Sequence, residues 1–551
     1  MPSNTVTLTF APTTSMLTVR LFYLIAIEES HTVINGDVPQ AFLQGVQDTP
    51  LFLWAPKSQR SFPGEIYQVL LPLYGFRSSA AYWFRECRTF LESLGFVMDP
   101  MAVCHFRKFI TDDCSSFVQM VLVVDDYALS GPDEAVRHYH SCMETRFNAT
   151  TESGKMFVGY DIEYNLAEGY VKISFSSYIA RMLERFSNVD LSKGAPMREL
   201  IGCLCWCTTN LHAAEIIRVK SHSAFLNSYT EREYDDAIHT MHAVASLSPL
   251  GIVYRHGGAK HIFVPPAARP GKIIKLQSPP LAPHAGHFEA VNEFEERDLY
   301  TADDVIAESR YAQYPVNPRY VISQYTDSAF AVDTLMRSVT GAITLVNGGP
   351  LLWHCTKESL IVDSTTGSET MSYSTGIKDM KHVELRFKFF HIQPPKPYRM
   401  YTDSTGGKTL SCNPNKLGRV RHLNIRQHMI KCYIQIGDVE LVYCCTEAFL
   451  ADLYTKICGA EQRRNLGHRF YNDCVFSDGR FYKTPCYEHD HEVRITISAQ
   501  PLEDPGPTLY FLQPSTVSPE WTSAQMDRDL PHPTSDPRWC SITATTSTAN
   551  C

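Results

Sequence analysis

The spacing of apolar residues in the first quarter of the chain predicts an alternation of helices and strands. One side of the first predicted helix carries an apolar stripe formed by Leu17, Leu21, Leu24 and Ile25. A short strand-like run, Thr32–Val38, follows and carries Asp37 near its end. The β-prone run Phe117–Val124 leads directly into Asp125 and Asp126, and a second apolar run leaves them. This pattern predicts a β-hairpin with two adjacent acids at its turn.

Helical and strand periodicities continue on both sides of this hairpin. Ser78 or Ser79 is expected to cap a helix. The apolar stripe of that helix consists of Trp83, Cys87, Phe90, Leu91 and Leu94. A second hairpin is predicted between Phe157–Tyr164 and Tyr170–Phe175. Ser176 is then expected to cap a further helix.

Proline content divides the chain into candidate domains. Residues 256–320 contain a dense group of prolines, which is typical of a linker or an insertion. From about residue 476 onward the chain is rich in Pro, Ser and Thr without periodicity, which predicts a disordered tail. The predicted segments are therefore 1–255, 256–320, 321–475 and 476–551.

Composition and charge exclude some classes of protein without identifying one. No apolar run approaches the roughly 18 residues that a membrane helix needs, and residues 1–15 lack the pattern of a secretory signal. We therefore expect an intracellular protein of the cytoplasm or nucleus with no membrane partner. The formal net charge of −9 argues mildly against a nucleic-acid protein, although local basic runs occur. The 17 cysteines show no C-x-x-C spacing, which favours packed, reduced thiols over a zinc site.

Paired histidines are interpreted as solvated residues rather than metal ligands. The pairs are His138 with His140, His239 with His242, and His489 with His491. None of them completes the four-ligand pattern of a structural zinc site.

Three acids form the first candidate catalytic group. Asp37 ends one predicted strand, and Asp125 and Asp126 occupy the hairpin turn, so adjacent strands of one sheet would bring them together. An Asp-Asp pair is by itself more often a solvated turn, but the apolar strands on both sides favour a structured site. Clustered carboxylates repel one another unless a cation lies among them, and oxygen-only ligands suit Mg²⁺ or Mn²⁺. Two such ions can activate a primer 3′-hydroxyl and stabilise the leaving pyrophosphate.

A second acidic group lies in the later part of the chain. Asp327 lies on a predicted strand, Glu369 in a predicted helix, Asp403 at the end of a strand, and Asp452 at or just before the start of a helix. Four carboxylates again call for two divalent ions, which here would activate a water against a phosphodiester. Each acid taken alone is interpreted as a surface residue, and spacing alone does not decide between the two interpretations.

Motifs in a fixed order surround both acidic groups. Those around the first are Phe10–Pro12, Leu17–Leu21, Asp37–Gly45, Leu73–Arg77, Val123–Asp126, Phe157–Glu163 and Leu200–Leu204. Those around the second are Tyr325–Ser328, Arg337–Gly341, Gly348–Pro350, Ser364–Glu369, Tyr401–Asp403, Arg421–His428 and Ala451–Lys456. Together they resemble the reverse transcriptase and ribonuclease H parts of copia-type LTR-retrotransposon Pol polyproteins. The resemblance covers most of residues 8–215 and 321–470.

The resemblance implies roles for individual residues. The metal-binding catalytic carboxylates would be Asp37, Asp125, Asp126, Asp327, Glu369, Asp403 and Asp452. The backbone around Pro39, Gln40 and Ala41 would lie beside the nucleotide triphosphate, and Phe42 would be the aromatic gate against the ribose 2′-hydroxyl.

The chain also departs from the family pattern. Val123 replaces the Tyr of the Y-x-D-D box, and Pro39 replaces a Lys and removes a backbone donor. Ser78, Gly367 and Asn424 replace a Gln, an acid and an Asp. The chain begins just before the Phe10–Pro12 motif, so we expect the upstream fingers strands to be missing from it, and the copy to be N-terminally truncated.

The sequence therefore predicts an α+β protein with a palm, a helical thumb-like region and a ribonuclease H-like mixed sheet. The predicted function is RNA-directed DNA polymerase with ribonuclease H activity. Its expected partners are an RNA template, a DNA primer, the RNA–DNA hybrid and deoxynucleoside triphosphates. Three alternatives remain open: a catalytically decayed transposon remnant, a ribonuclease H-only enzyme, and a co-opted nucleic-acid-binding protein.

Overall fold

The computed structural model describes residues 11–48, 50–187, 189, 196–262, 265, 314–332, 336–412 and 424–472. All of them belong to one compact unit, Met1–Thr496. Most of the predicted linker 256–320 and all of the predicted tail 476–551, with His489 and His491, lie outside the described residues. None of the described helices is long and apolar enough to cross a membrane.

Helices and strands are both present in the described part of the chain, as expected of an α+β fold. The helices are α1 Met16–Glu28, α2 Ser79–Ser93, α3 Asp133–Phe147, α4 Ser176–Phe186, α5 Met197–Asn210, α6 Ile216–Ser223, α7 Glu231–Ser246, α8 Thr365–Lys388, α9 Thr405–Cys412, α10 Asn424–Gln435, α11 Asp452–Thr455 and α12 Ala460–Tyr471. The first eight strands are β1 Thr32–Asp37, β2 Leu51–Trp54, β3 Ile66–Val69, β4 Val97–Asp99, β5 Ala102–Phe109, β6 Phe117–Val123, β7 Asp126–Gly131 and β8 Thr150–Thr151. The others are β9 Met156–Phe157, β10 Tyr160–Asn165, β11 Tyr170–Ser174, β12 Ile252–Arg255, β13 Ile322–Ala329, β14 Val339–Val346, β15 Gly349–Lys357, β16 Tyr398–Thr402 and β17 Val439–Tyr443.

The palm is a six-stranded sheet in the order β4-β5-β6-β7-β1-β8. The predicted hairpin is confirmed as β6 and β7, and β1 pairs antiparallel with β7. Helices α2 and α3 pack on this sheet through Trp83, Cys87, Val136 and Phe147, which share its core. Ser78 occupies the predicted N-cap position of α2 but makes no capping hydrogen bond through its side chain, and the Ser79 hydroxyl donates to the Leu73 carbonyl at 2.6 Å.

A second, four-stranded sheet in the order β12-β11-β10-β9 leads into the helical region. The predicted second hairpin is confirmed as β10 and β11. Ser176 is not the cap of α4, since Phe175 holds that position and the Ser176 hydroxyl donates to the Ser248 carbonyl at 2.8 Å. Helices α4 to α7 form the predicted helical thumb-like region.

The third sheet is mixed, in the order β15-β14-β13-β16-β17. Strands β13, β14 and β15 are antiparallel, whereas β16 and β17 run parallel to β13. The long helix α8 lies against β13 and β14. This arrangement is the mixed sheet with flanking helices that the sequence predicts for residues 321–475.

Helix α1 lies at the centre of the molecule. Ser15 caps it by accepting from the Thr18 amide, and every residue from Leu17 to Glu28 is buried. The single predicted apolar stripe is therefore too narrow, because a helix that is apolar on all sides is buried on all sides. Its one basic residue, Arg20, is only 4% exposed.

Arg20 connects α1 to three other parts of the chain. Its guanidinium donates to the Leu351 carbonyl of β15 at 2.9 Å, to the Tyr160 hydroxyl at 3.0 Å and to the Asn210 carbonyl at 2.8 Å. It also lies 4.1 Å from the ring centroid of Trp353. The hydrogen bonds and the cation–π contact together compensate for the burial of this charge.

A second buried cation joins the palm to helix α8. Arg386 of α8 meets Asp99 of β4 at 3.0 Å, and both side chains are 1% exposed. Arg386 also donates to His105 of β5 at 2.9 Å. The described residues of the palm and of the mixed sheet thus share a continuous buried interface.

Candidate functional site: two acidic centres

The first acidic centre is built by strand register. Asp37 is the Cα partner of Asp126 across β1 and β7, and the Val38 amide donates to the Asp125 carbonyl at 2.9 Å. One oxygen from each of Asp37, Asp125 and Asp126 lies within 4.8 Å of the others. The structure therefore brings together all three acids of the first predicted group.

Helix α2 stabilises the turn that carries Asp125 and Asp126. Val124 adopts a left-handed backbone conformation, with φ of 57°, which turns the chain between β6 and β7. The indole of the buried Trp83 donates to the Val124 carbonyl at 2.5 Å, so helix α2 is tied directly to the turn. On the neighbouring strand, a Cβ at Gly36 would collide with the ring of Tyr127, so only glycine allows β1 to approach this closely.

His140 contacts strands β7 and β8 of the same sheet, and its interpretation as a solvated residue is wrong. It was expected to be solvated, but it is 6% exposed. Its Nδ1 lies 2.8 Å from the Tyr127 hydroxyl, and its Nε2 lies 2.8 Å from the Thr151 hydroxyl. Two histidines spaced two positions apart in the sequence do not indicate which of them helix packing will bury. His239 and His242 are exposed, as expected.

Burial and mutual repulsion perturb the first centre. Burial, together with the charges of Asp125, Glu152 and Asp37, raises the pKa of Asp126 to about 6. Burial and the charge of Asp125 also raise the pKa of Asp37. None of the sequence motifs contains Glu152, which follows β8 and is brought near the site by the pairing of β8 with β1. Such an arrangement of oxygen ligands favours a bound cation, because the cation removes the repulsion.

The predicted nucleotide-binding segment follows β1 directly. Pro39 and Gln40 are exposed, and Gln40 has a left-handed φ of 54° that starts a short 3₁₀ turn, Ala41–Gln44. Ala41 is fully buried. Phe42 stacks on Tyr74 with ring centroids 4.6 Å apart. The assignment of these residues to a nucleotide remains a prediction.

The second acidic centre depends on two parallel strands. Tyr325 of β13 and Tyr401 of β16 are register partners, and each is followed two residues later by an acid. Asp327 and Asp403 therefore emerge side by side where the two strands end their pairing. Glu369 joins them from helix α8, and one oxygen from each of the three lies within 4.8 Å of the others.

Close packing of α8 on the sheet places Glu369 over the strands. Gly376 of α8 faces β13, and a Cβ there would collide with the Thr326 side chain and lie 3.2 Å from Gln324. Glu369 lies two helical turns before this contact on the same side of the helix. It is 8% exposed, and its Oε2 has no hydrogen-bond partner among the described residues.

Asp452, the fourth predicted nuclease acid, lies beside the other three rather than among them. It begins helix α11 and is fully buried. Its Oδ1 lies 2.6 Å from the Lys456 ammonium, and its Oδ2 accepts from the Gln462 amide at 3.1 Å. Lys456 lies in the Ala451–Lys456 motif, which predicts no role for it, and Gln462 lies outside all of the motifs.

The donor set of the second centre fits a divalent cation. Its ligands are carboxylate oxygens, which are the ligands that Mg²⁺ and Mn²⁺ prefer, and the buried Oε2 of Glu369 lacks a partner. Burial raises the pKa of Glu369 to about 9, and the charges of Asp327 and Asp403 add to the shift. Burial also raises the pKa of Asp452 to about 7. An uncompensated buried carboxylate of this kind is typical of a metal or catalytic site.

The raised pKa of Glu369 predicts a pH-dependent stability of the metal-free chain. A carboxyl group whose pKa is higher when folded favours folding while it is protonated, and this contribution is lost as pH rises. From pH 4.5, its ordinary value, to about 9, the free energy of unfolding should fall by at most about 1.4 kcal/mol per pH unit. Urea unfolding in a chelator at pH 7 and pH 9 measures this change. Glu369→Gln should show a smaller fall, and equal falls in the two proteins would contradict the prediction.

The part of the chain that matches a known protein family contains the first acidic centre and not the second. Residues 2–198 match the family model described as reverse transcriptase (RNA-dependent DNA polymerase). This range contains Asp37, Asp125 and Asp126, and the acids of the second centre lie beyond it.

Relatives among curated proteins span a longer part of the chain. The Retrovirus-related Pol polyproteins from transposons RE2 and RE1 of Arabidopsis thaliana are 22% and 23% identical over 456 residues, which is 81% of this chain and 28% of each relative. The corresponding polyprotein from transposon TNT 1-94 of Nicotiana tabacum is 22% identical over 81% of this chain and 31% of its own length. The chain thus spans less than a third of the length of these relatives.

Similarity to solved structures is distant. The foamy viral protease-reverse transcriptase in complex with double-stranded DNA has a TM-score of 0.37 and 9% identity, covering 75% of this chain and 57% of that one. The prototype foamy virus protease-reverse transcriptase CSH mutant has a TM-score of 0.16 and 12% identity, covering 76% and 65%.

Residues 2–198, which include the six-stranded sheet and its acidic hairpin, are similar to the reverse transcriptase family. Over 81% of its length the chain is a relative of the Pol polyproteins of copia-type transposons. The family resemblance seen in the sequence motifs is thereby confirmed.

Proposed function

We propose that the chain is an RNA-directed DNA polymerase with ribonuclease H activity, acting by metal-dependent phosphoryl transfer at two centres. One observation carries the proposal: two separate groups of three acids are each assembled by paired strands, with their oxygens within 4.8 Å. Strand pairing and helix packing hold these charges together against their repulsion, and a fold that does so without a cation would be destabilised.

At the first centre, the chain's own residues hold and orient the reacting groups. Asp37 and Asp125 are the principal ligands, and Asp126 is the weaker one because its carboxyl group has a pKa near 6. Divalent ions, when bound, lower the pKa of the attacking hydroxyl and neutralise the charge that develops on the leaving oxygen. The Phe42 ring, fixed by Tyr74, borders the sugar of the incoming nucleotide.

At the second centre, Asp327, Glu369 and Asp403 orient a water against an RNA phosphodiester. The Thr455 hydroxyl donates to Asp327 and fixes the direction of that carboxylate. The proposed substrate is the RNA strand of an RNA–DNA hybrid, and the proposed cofactor is Mg²⁺ or Mn²⁺. The proposed partners are an RNA template, a DNA primer and deoxynucleoside triphosphates, inside the cell in cytoplasm or nucleus. The proposed organisation keeps the polymerase in residues 1–255 and the nuclease in residues 321–475.

The test uses the purified chain with a primed RNA template, a labelled RNA–DNA hybrid, Mg²⁺ and nucleotides. Asp125→Asn should abolish primer extension and leave hybrid cleavage intact. Asp403→Asn should abolish hybrid cleavage and leave extension intact. Because each variant changes one centre, it serves as the folding control for the other activity.

Each alternative function has its own outcome in this assay. Cleavage without extension, lost in Asp403→Asn, indicates a ribonuclease H-only enzyme. Neither activity with retained binding of the hybrid indicates a nucleic-acid-binding protein, and neither activity nor binding indicates a catalytically decayed remnant. Extension that persists in Asp125→Asn would refute the assignment of the first centre.

A further inference from the structure

Lys456 lies at the second acidic centre with its ammonium among the carboxylates. It directly follows helix α11, and its Nζ lies 3.5 Å from Asp327, 3.7 Å from Asp403 and 2.6 Å from Asp452. A single side chain therefore contacts three of the four predicted nuclease acids. Its side chain is 46% exposed, so the fold does not need it as packing.

Asp452 contacts Lys456 and does not belong to the cluster formed by Asp327, Glu369 and Asp403. Both of its oxygens are engaged, one by the Lys456 ammonium and the other by the Gln462 amide at 3.1 Å. It lies outside the group of oxygens that come within 4.8 Å of one another. An additional divalent cation beside Asp452 would therefore lie against the Lys456 ammonium, which repels it.

The opposite side of the centre differs in its chemistry. Glu369 is only 8% exposed, and its Oε2 has no hydrogen-bond partner among the described residues. One oxygen of Glu369 lies within 4.8 Å of one oxygen each of Asp327 and Asp403. One side of the centre thus presents an unpartnered buried oxygen, and the other side already holds a positive charge.

We propose that Lys456 is a resident cation of the nuclease centre, which takes one divalent ion at Asp327, Glu369 and Asp403 and no second ion beside Asp452. The inference rests on the proposed nuclease function and assigns the second positive charge to the protein itself. Lys456 is then a positioning residue that sets the charge of the site, and Asp452 holds the lysine in place.

The test counts metal ions in the full chain. Asp37→Asn with Asp125→Asn removes the ligands of the first centre, and Mn²⁺ binding to this protein is measured by calorimetry and by the paramagnetic resonance of free Mn²⁺. One ion is expected. Adding Lys456→Gln should allow a second ion or tighten the first about tenfold, because a unit positive charge has left the cluster. Lys456→Arg should keep the count at one.

Lys378→Gln, at an exposed lysine of helix α8, is the matched control and should leave Mn²⁺ binding unchanged. Two ions bound before the lysine is changed would overturn the proposal, and so would a Lys456→Gln protein with unchanged count and affinity. Circular dichroism confirms that each variant is folded. Hybrid cleavage is measured separately, so a chain that binds one ion without cleaving fails the proposed function while the role of Lys456 stands.

Discussion

Asp99→Asn should destabilise the folded chain by about 3–5 kcal/mol, because it leaves the Arg386 guanidinium buried without its counter-charge. The two groups meet at 3.0 Å with 1% exposure each, although they are not aligned as a hydrogen bond. Burial raises the pKa of Asp99 and lowers that of Arg386, despite their mutual attraction. Desolvation is therefore large for both charges, and each depends on the other. Urea unfolding at neutral pH measures the loss.

Two control variants separate loss of the pair from loss of a single charge. Asp99→Leu combined with Arg386→Met removes both charges and keeps apolar volume, so it should cost much less than Asp99→Asn alone. Asp112→Asn, at an exposed aspartate of the same region, should change stability by no more than about 0.5 kcal/mol. If the double variant were as unstable as the single one, the pair would act through packing instead of charge.

Trp83→Ala should cost about 3–5 kcal/mol and abolish primer extension. The indole is 1% exposed, packs edge-on against Phe147 with ring centroids 5.1 Å apart, and donates to the Val124 carbonyl. Its removal leaves a cavity under α2 and releases the turn that carries Asp125. Primer extension and thermal unfolding are the measurements.

Trp83→Phe separates the contribution of core packing from that of the hydrogen bond to the Val124 carbonyl. It keeps most of the ring volume but loses the donor to Val124, so extension should fall more than stability does. Trp206→Ala, at a tryptophan that is 38% exposed, is the matched control and should leave both nearly unchanged. Hybrid cleavage should survive in Trp83→Phe, and its loss would show that the effect is not confined to the palm.

Local pattern was sufficient for the first acidic centre. The apolar runs on each side of Asp125 and Asp126 specify a hairpin, and a hairpin needs no distant partner to define its turn. The pairing of β1 with β7, which brings Asp37 to the pair, was anticipated from the order of strands. The second centre needed the family resemblance, because Asp327 and Asp403 are neighbours only through the parallel pairing of β13 with β16.

Properties that depend on tertiary packing could not be predicted from the sequence. Ser79 and Ser176 have the residue type of helix caps, yet their hydroxyls donate to the carbonyls of Leu73 and Ser248. His140 appeared solvated until the sheet beneath it was known. Asp452 carried the right charge for a metal ligand, but its oxygens accept from the ammonium of Lys456, four positions later, and from the amide of Gln462, ten positions later.

The buried guanidinium of Arg20 bears on how the chain is made. Its bond to the Leu351 carbonyl joins residues 331 positions apart, and Trp353 lies on its other face. During synthesis, the first helix therefore emerges from the ribosome long before the strand that covers its positive charge. Until then this largely apolar helix lacks its final neighbours, and its packing is completed only once strand β15 of the mixed sheet has been translated.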